Sequence, residues 1–380
     1  MKIVSIEPTP SPNSMKINLD EELPQAQTYN YKQGDDLDEA PAHVKDLLCI
    51  EGVKSLYHVM DFIALDRNPR ASWEDVLPEV RQVLGTQEAS TEEKPEEPSP
   101  SEDPFGEVKV FIQMFRGIPM QIKLDDGQEE KRVGLPEMFM NAAMEASPAS
   151  PNMVMERQWV EQNPRYGSME EIGQEVAEEI SASYDAGRLQ SLVKQAFEEE
   201  PSEEKSDGQS SHEVTLSTLD DPDWKVRYAA LDRMNPTFKD LPVLEKALDD
   251  EKGSIRRLAT AYLGMIEEPE VLPYLYKALH DKSVTVRRTA GDCLSDLGFE
   301  EATPEMIKSL SDPNKLVRWR AAMFLYEIGD ESAIPALKET INDPEFEVRM
   351  QAKMALERIQ GGEEAKGSVW HQMTEARKNN

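Results

Sequence analysis

Five times in the C-terminal part of this chain a Val or Ile is followed by Arg: Val226-Arg227, Ile255-Arg256, Val286-Arg287, Val317-Arg318 and Val348-Arg349, spaced by 29, 31, 31 and 31 residues. A fixed period of this length marks a stacked solenoid, in which each unit contacts only its neighbours and the array presents an extended surface for binding. Each unit carries an acid six positions before its Arg (Asp221, Asp250, Asp281, Asp312, Asp343) and an apolar residue seven before its Val or Ile (Leu219, Leu248, Leu279, Leu310, Ile341). Four positions after the Val or Ile stands Ala230, Ala259, Ala290, Ala321 or Ala352, and eight after stands Met234, Leu263, Leu294, Leu325 or Leu356. Apolar residues at i, i+4 and i+8 form one face of a helix.

Proline at a fixed phase signals a second helix, since Pro242, Pro273, Pro304 and Pro335 each precede an apolar segment. Proline suits a first helical turn, where its missing donor has no partner to lose. Asp312-Pro313, Asp343-Pro344 and Asp221-Pro222 read as an N-cap followed by proline at the first helical position. Each unit is therefore two helices and two turns. The Asp and Arg of one unit are six residues apart, about 240° around a helix, so they do not share a face. Arg227, Arg256, Arg287, Arg318 and Arg349 are expected to meet an Asp of a neighbouring unit, as a ladder holding the stack together. The second member of each arginine cluster, Arg257, Arg288 and Arg320, with Trp319, is then left for a partner.

This pattern resembles the short HEAT-like repeats also found in bilin-lyase proteins, over residues 214 to 360. The resemblance implies an all-α solenoid that binds other proteins.

Elsewhere the chain divides by composition. Residues 86–104 and 198–213 are acidic linkers rich in Glu, Pro and Ser, which cannot bury enough apolar surface to offset chain ordering. They separate modules at 1–85, 105–197 and 214–360, with a tail at 361–380 whose Val369, Trp370 and Met373 either form a short helix closing the last repeat or belong to a disordered end. In the first module, strand-like runs at Lys2–Ile6, Lys16–Leu19 and Val59–Leu65 alternate with helices at Ala42–Cys49 and Trp73–Leu84, the latter capped by Ser72. In the second, Val108, Val110, Ile112 and Met114 alternate on one strand and Ile118, Met120, Ile122 and Leu124 on the next, turning at Arg116-Gly117. A third strand at Lys131–Val133, a helix at Pro136–Met144 and a helix opened by Ser168 and Glu171 follow. The fold class is thus two small α+β domains followed by an all-α solenoid.

The first module resembles the N-terminal domain of Nfu-type iron-sulfur scaffold proteins through Thr9-Pro-Ser-Pro-Asn-Ser-Met-Lys16, Ile50-Glu-Gly-Val53, Asp61-Phe-Ile-Ala64 and Trp73 with Leu77. Members of that family hold a cluster through a Cys-x-x-Cys pair in another domain, and no such pair occurs here. Cys49 reads as a core residue of an apolar helix, and the module as a docking unit. Its Thr9–Lys16 loop offers Ser11, Asn13 and Ser14 to a partner. With Phe115-Arg-Gly-Ile-Pro-Met-Gln-Ile-Lys123 in the middle and the repeats behind, the whole chain resembles the conserved virulence factor C family, which includes YpgR-type proteins. That resemblance implies a bacterial cytoplasmic protein connected with virulence-related expression or physiology. It supplies no chemistry.

Charge and residue spacing narrow the function. The chain carries 74 acidic and 42 basic residues, a net charge of -32, and even residues 214–360 hold 27 acids against 20 bases. Such surfaces oppose general affinity for phosphate backbones or anionic lipid. No signal-like or membrane-spanning apolar run is present, and two distant cysteines suit a reducing compartment, so a soluble cytoplasmic protein without disulfides is expected. The histidines His43, His58, His212, His280 and His371 share no spacing, and only His212-Glu213 matches the His-Glu pairs of HEAT-repeat hydroxylases. Glu170 with Glu171, and Glu178 with Glu179, read as solvated helix faces. No catalytic, cofactor or metal residue is assigned, and the expectation is a non-enzymatic protein-protein interaction scaffold. An accessory role beside iron-sulfur assembly components, without a cluster held by this chain, is the alternative. A HEAT-type nucleic-acid groove built on the arginine clusters is a second.

Overall fold

A computed structural model describes residues 1–9, 11–24, 27–85, 107–198 and 214–362. The expectations for both acidic linkers (Glu198 apart), for His212 and for the tail beyond Gly362 lie outside these residues.

The first module runs β1 (Ile3–Pro8), β2 (Ser14–Leu19), β3 (Thr28–Lys32), α1 (Ala42–Leu48), β4 (Val53–Val59), β5 (Phe62–Arg67) and α2 (Trp73–Leu84). Its strands form an antiparallel sheet in the order β1-β2-β5-β4-β3. The alternation Met15, Ile17, Leu19 on β2 and Ile63, Leu65 on β5 turns one face toward Trp73, Val76, Leu77 and Val80 of α2. Ser72 caps α2 by accepting from the Glu74 N–H. The apolar run read as one strand at Val59–Leu65 is instead a hairpin: Met60 takes φ 51°, and β4 returns as β5. A turn inside an apolar run has no composition signal. β3, with only Tyr29 and Tyr31 turned inward, has a weak one.

The middle module runs β6 (Glu107–Phe115), β7 (Ile118–Asp125), β8 (Glu130–Gly134), α3 (Glu137–Ala146), α4 (Met153–Glu156), β9 (Gln158–Tyr166), α5 (Met169–Ser183) and α6 (Ala186–Ala196). Strand order is β8-β7-β6-β9, all antiparallel. Arg116 (φ 48°) and Gly117 (φ 79°) both occupy the left-handed region, the requirement of a two-residue hairpin turn whose twist matches its strands. Val108, Val110, Ile122 and Leu124 form a core with Phe139 of α3, Val176 of α5 and Val193 of α6. β9 was not signalled by the sequence because most of its side chains are exposed at a sheet edge, where Pro164 is tolerated.

The repeats supply α7 (Trp224–Asp232), α8 (Leu241–Ala247), α9 (Gly253–Leu263), α10 (Leu272–Leu279), α11 (Val284–Leu297), α12 (Thr303–Ser309), α13 (Lys315–Glu327), α14 (Ile334–Thr340) and α15 (Phe346–Gln360). The phased prolines sit in the first turns of α8, α10, α12 and α14, each preceded by a short 3-10 turn. The Asp-Pro pairs do not start the following helices. α7, α13 and α15 begin later, behind N-cap residues Asp223, Asn314 and Glu345. The repeat aspartates are engaged differently: Oδ1 of Asp221, Asp250, Asp281, Asp312 and Asp343 accepts the N–H two residues on, fixing the turn.

The same aspartates anchor the arginines. Within each unit the Arg Nη1 reaches back to the Asp backbone carbonyl, at 2.7 to 2.9 Å in all five copies. Between units the guanidinium forks onto the next carboxylate: Arg227 onto Asp250 (2.7 and 2.9 Å), Arg256 onto Asp281 (2.7 and 3.0 Å) and Arg318 onto Asp343 (2.6 and 3.0 Å). Although burial opposes it, the Arg256 contact holds the Asp281 carboxyl below the usual range. By their contacts the described residues form two compact units, those of 1–106 with those of 298–380, and those of 107–297. Each unit joins one α+β module to part of the array.

Replacing Asp250 by Ala strands the nearly buried Arg227 guanidinium and removes a turn cap. Urea denaturation should show a loss of about 3 kcal/mol, against under about 0.5 kcal/mol for Asp249→Ala, whose carboxylate is mostly exposed.

Candidate functional site

In the unit built from residues 107–297, α5 of the middle module lies against α7, and its carboxylates meet the array's second arginine row. Glu179 is 6% exposed and accepts from Arg165 at 2.7 Å and Arg257 at 2.9 Å. Burial acts to raise its carboxyl, but the Arg257 and Arg165 guanidiniums outweigh it and hold the group below the usual range. Next to it Lys252 donates to Glu178 at 2.8 Å and lies 4.2 Å from the Trp224 ring centroid. The Glu178-Glu179 pair is therefore a joint between modules rather than a solvated face. Glu170 and Glu171 are exposed, as expected. One turn of the array further, Arg288 is 3% exposed, stacks 4.3 Å over Tyr166 at the end of β9 and donates to Asp292 at 2.9 Å.

The surface expected for Arg257, Arg288, Trp319 and Arg320 is thus not present. In the unit holding the first module, Trp319 (2% exposed) packs against Val348, and Arg320 is buried beside it, its guanidinium 5.2 Å from the Trp319 ring. None of the three arginines retains a free face on which a nucleic-acid duplex could rest. Spacing alone could not show this, because the covering groups come from segments remote in sequence.

The first module closes on α15. Arg67, 2% exposed on β5, donates to Glu347 at 2.5 Å and lies 5.3 Å from the Trp73 ring; Phe346 and Met350 pack on the module's core. Arg349, the last ladder arginine among the described residues, meets Glu74 of α2 at 3.8 Å. The Thr9–Lys16 loop is fastened from within: Thr9 Oγ1 donates to the Ser11 and Ser14 carbonyls, and the Pro12 carbonyl accepts from Trp73 Nε1 at 2.8 Å. Asn13 is buried, its carbonyl accepting from the Arg67 N–H, while Ser11 and Ser14 are half-buried. Cys49 is exposed at the C-cap of α1, not in the core. Two residues sequence reasoning left unassigned, His43 and His58, meet at 3.0 Å beside Tyr29; burial, then His43, lowers the His58 imidazole to about 4. Cys293 is buried among the repeats, its thiol pushed up by burial.

Among the described residues no group of three or more His, Cys, Asp or Glu is placed to hold a metal ion, and no helix is long and apolar enough to cross a membrane. One cleft of about 640 Å³ opens in the 107–297 unit, lined by Ala182, Asp185, Asp223, Val226, Ala230 and Arg233, with Val226 46% exposed.

Three family models match in order: the scaffold protein Nfu/NifU N-terminal family over residues 4–91, the virulence factor family over 113–193, and HEAT repeats over 213–295 and 277–357. The uncharacterized protein YpgR of Bacillus subtilis is 58% identical over 378 residues, spanning 100% of this chain and 99% of that protein. Conserved virulence factor C of Staphylococcus haemolyticus is 44% identical over 277 residues, 72% of this chain and 71% of that one. The chain belongs to the conserved virulence factor C family. A Staphylococcus aureus protein of known crystal structure, SAV1430, is 48% identical over 22% of this family member and 98% of its own chain, with a TM-score of 0.21.

The Glu179 joint gives this family member a measurable signature. Glu179→Ala, which takes the shared carboxylate from the largely covered Arg165 and Arg257 guanidiniums, should cost about 3 kcal/mol in urea denaturation, and Glu178→Ala under about 1 kcal/mol. The Glu179 contribution is complete above the unfolded-chain value near pH ~4.3 and disappears as pH falls through the lower folded value. The gap between wild type and Glu179→Ala should therefore close on acidification.

Proposed function

We propose that the chain is a non-enzymatic protein-protein interaction scaffold of bacterial physiology, whose HEAT-like array organises its own two α+β modules and offers its remaining surface to a partner. The observation that carries this reading is the Arg165–Glu179–Arg257 joint, with its counterpart Arg67–Glu347. Both support it, because in each a residue of the array pairs with a folded module through largely desolvated, hydrogen-bonded charge. The exposed apolar residues Leu216, Val226 and Phe238, at 48%, 46% and 48%, lie in the first repeat and are free of such contacts to a module core. Val226 also lines the cleft described above, a concavity open to a partner segment. The partner-facing residues anticipated from sequence, Arg257, Arg288, Trp319 and Arg320, act in this reading as organisers of the array, and Ser11, Asn13 and Ser14 as supports of the first module.

The Nfu-like match favours a second reading, in which that module docks iron-sulfur assembly components without a cluster bound to this chain. Because relatives are named conserved virulence factor C, the proposed scaffold role is placed in virulence-related expression or physiology.

A photocrosslinking residue placed at Val226 or Phe238 of the full chain, expressed in its native cell, should yield discrete protein adducts. Val226→Asp should reduce recovery of the same proteins about tenfold. Adducts absent at both positions, or recovery unaffected by Val226→Asp, would contradict the scaffold reading; enrichment of iron-sulfur assembly proteins would select the second.

A further inference from the structure

Four large apolar residues are left in solvent within a short stretch of the middle module: Met140 and Met144 on α3, and Val154 and Met155 on α4, exposed by 54%, 65%, 68% and 79%. α3 buries Phe139, Ala142, Ala143 and Ala146 and turns Glu137, Met140, Asn141, Met144 and Glu145 outward. Met140 and Met144 are one turn apart on this outer stripe, where a helix of a globular module normally carries polar side chains. Neither belongs to the module's core or the partly buried residues around it. They therefore contribute little to the fold.

α4 repeats the arrangement while being firmly held. Met153 packs against the core and leaves Val154 and Met155 outside. Asn152 accepts from the Met155 N–H, and Glu156 is pinned by Arg116 at 2.8 Å and by Ser150 at 2.6 Å. Exposed apolar groups on fixed backbone mark a contact surface, and methionine, unbranched and polarizable, adapts to apolar partners of varied shape.

Charge selects the partner. Glu137 and Glu145 flank the two methionines on the same stripe, and neither makes an ion pair among the described residues. Residues 107–198 carry 16 acids against 9 bases, within a chain of net charge -32. We propose that this Met-rich outer stripe of α3 is a docking site for a basic amphipathic helix of a partner protein. The helix lays its apolar stripe over Met140 and Met144 and its Lys or Arg residues against Glu137 and Glu145. The assignment stands apart from the array and does not depend on the repeats binding anything.

Methionine oxidation by dilute peroxide, read by mass spectrometry on the full chain, reports each of these positions. A synthetic Leu/Lys amphipathic peptide of about 18 residues, five helical turns, should slow oxidation of Met140 and Met144. It should leave Met60 and Met265, themselves 56% and 62% exposed, unchanged. A Leu/Glu peptide of the same pattern should protect none, and Glu137→Lys with Glu145→Lys should weaken Leu/Lys binding about tenfold in fluorescence anisotropy. No protection, equal protection at Met60 and Met265, or protection by the Leu/Glu peptide overturns the proposal. So does protection that rises with protein concentration alone, which would assign the surface to a second copy.

Discussion

A guanidinium shared between a backbone carbonyl of its own repeat and the carboxylate of the next is the contact on which the array depends. Arg227, Arg256 and Arg318 each fork onto the following aspartate while their Nη1 closes the turn beneath them. A single aspartate therefore caps a turn through Oδ1, receives its own Arg through the carbonyl, and receives the preceding Arg through the carboxylate. Geometry and burial make each rung costly to break from one side, because the remaining charge has no water to turn to. The rung explains why Asp and Arg recur together at a spacing that puts their side chains on different faces.

A ladder of this kind leaves an unsatisfied end, and the chain meets that need with its other modules. Arg349, the last ladder arginine among the described residues, turns to Glu74, while Arg67 and Glu347 bury a second pair and Phe346 packs against the core of the first module. On the other unit, Glu179 draws Arg257 and Arg165 into one desolvated cluster. Solenoids expose apolar surface at their ends unless capped. Among the described residues, the first module covers the last repeat through these contacts.

Periodic features were legible from sequence: the repeat helices, the Trp73–Leu84 helix with its Ser72 cap, and the hairpin at Arg116-Gly117 all follow from local spacing and turn chemistry. The site was less legible. Arg257 and Arg288 look like free surface charges until Glu179 and Tyr166 arrive from segments 78 and 122 residues away. Glu178 and Glu179 look solvated for the same reason. β9 hides because an edge strand needs no apolar alternation, and Cys49 looked internal only because its helix ends one residue earlier, at Leu48.

The central claim is that the array's end is completed by the chain's own first module through Arg67–Glu347. Hydrogen exchange of the full chain, read on the amides of α15, tests it most directly. With Arg67→Glu, protection of α15 should fall about tenfold or more, α9 should keep its protection, and adding Glu347→Arg should restore much of the loss. Unchanged α15 protection in Arg67→Glu would contradict the account.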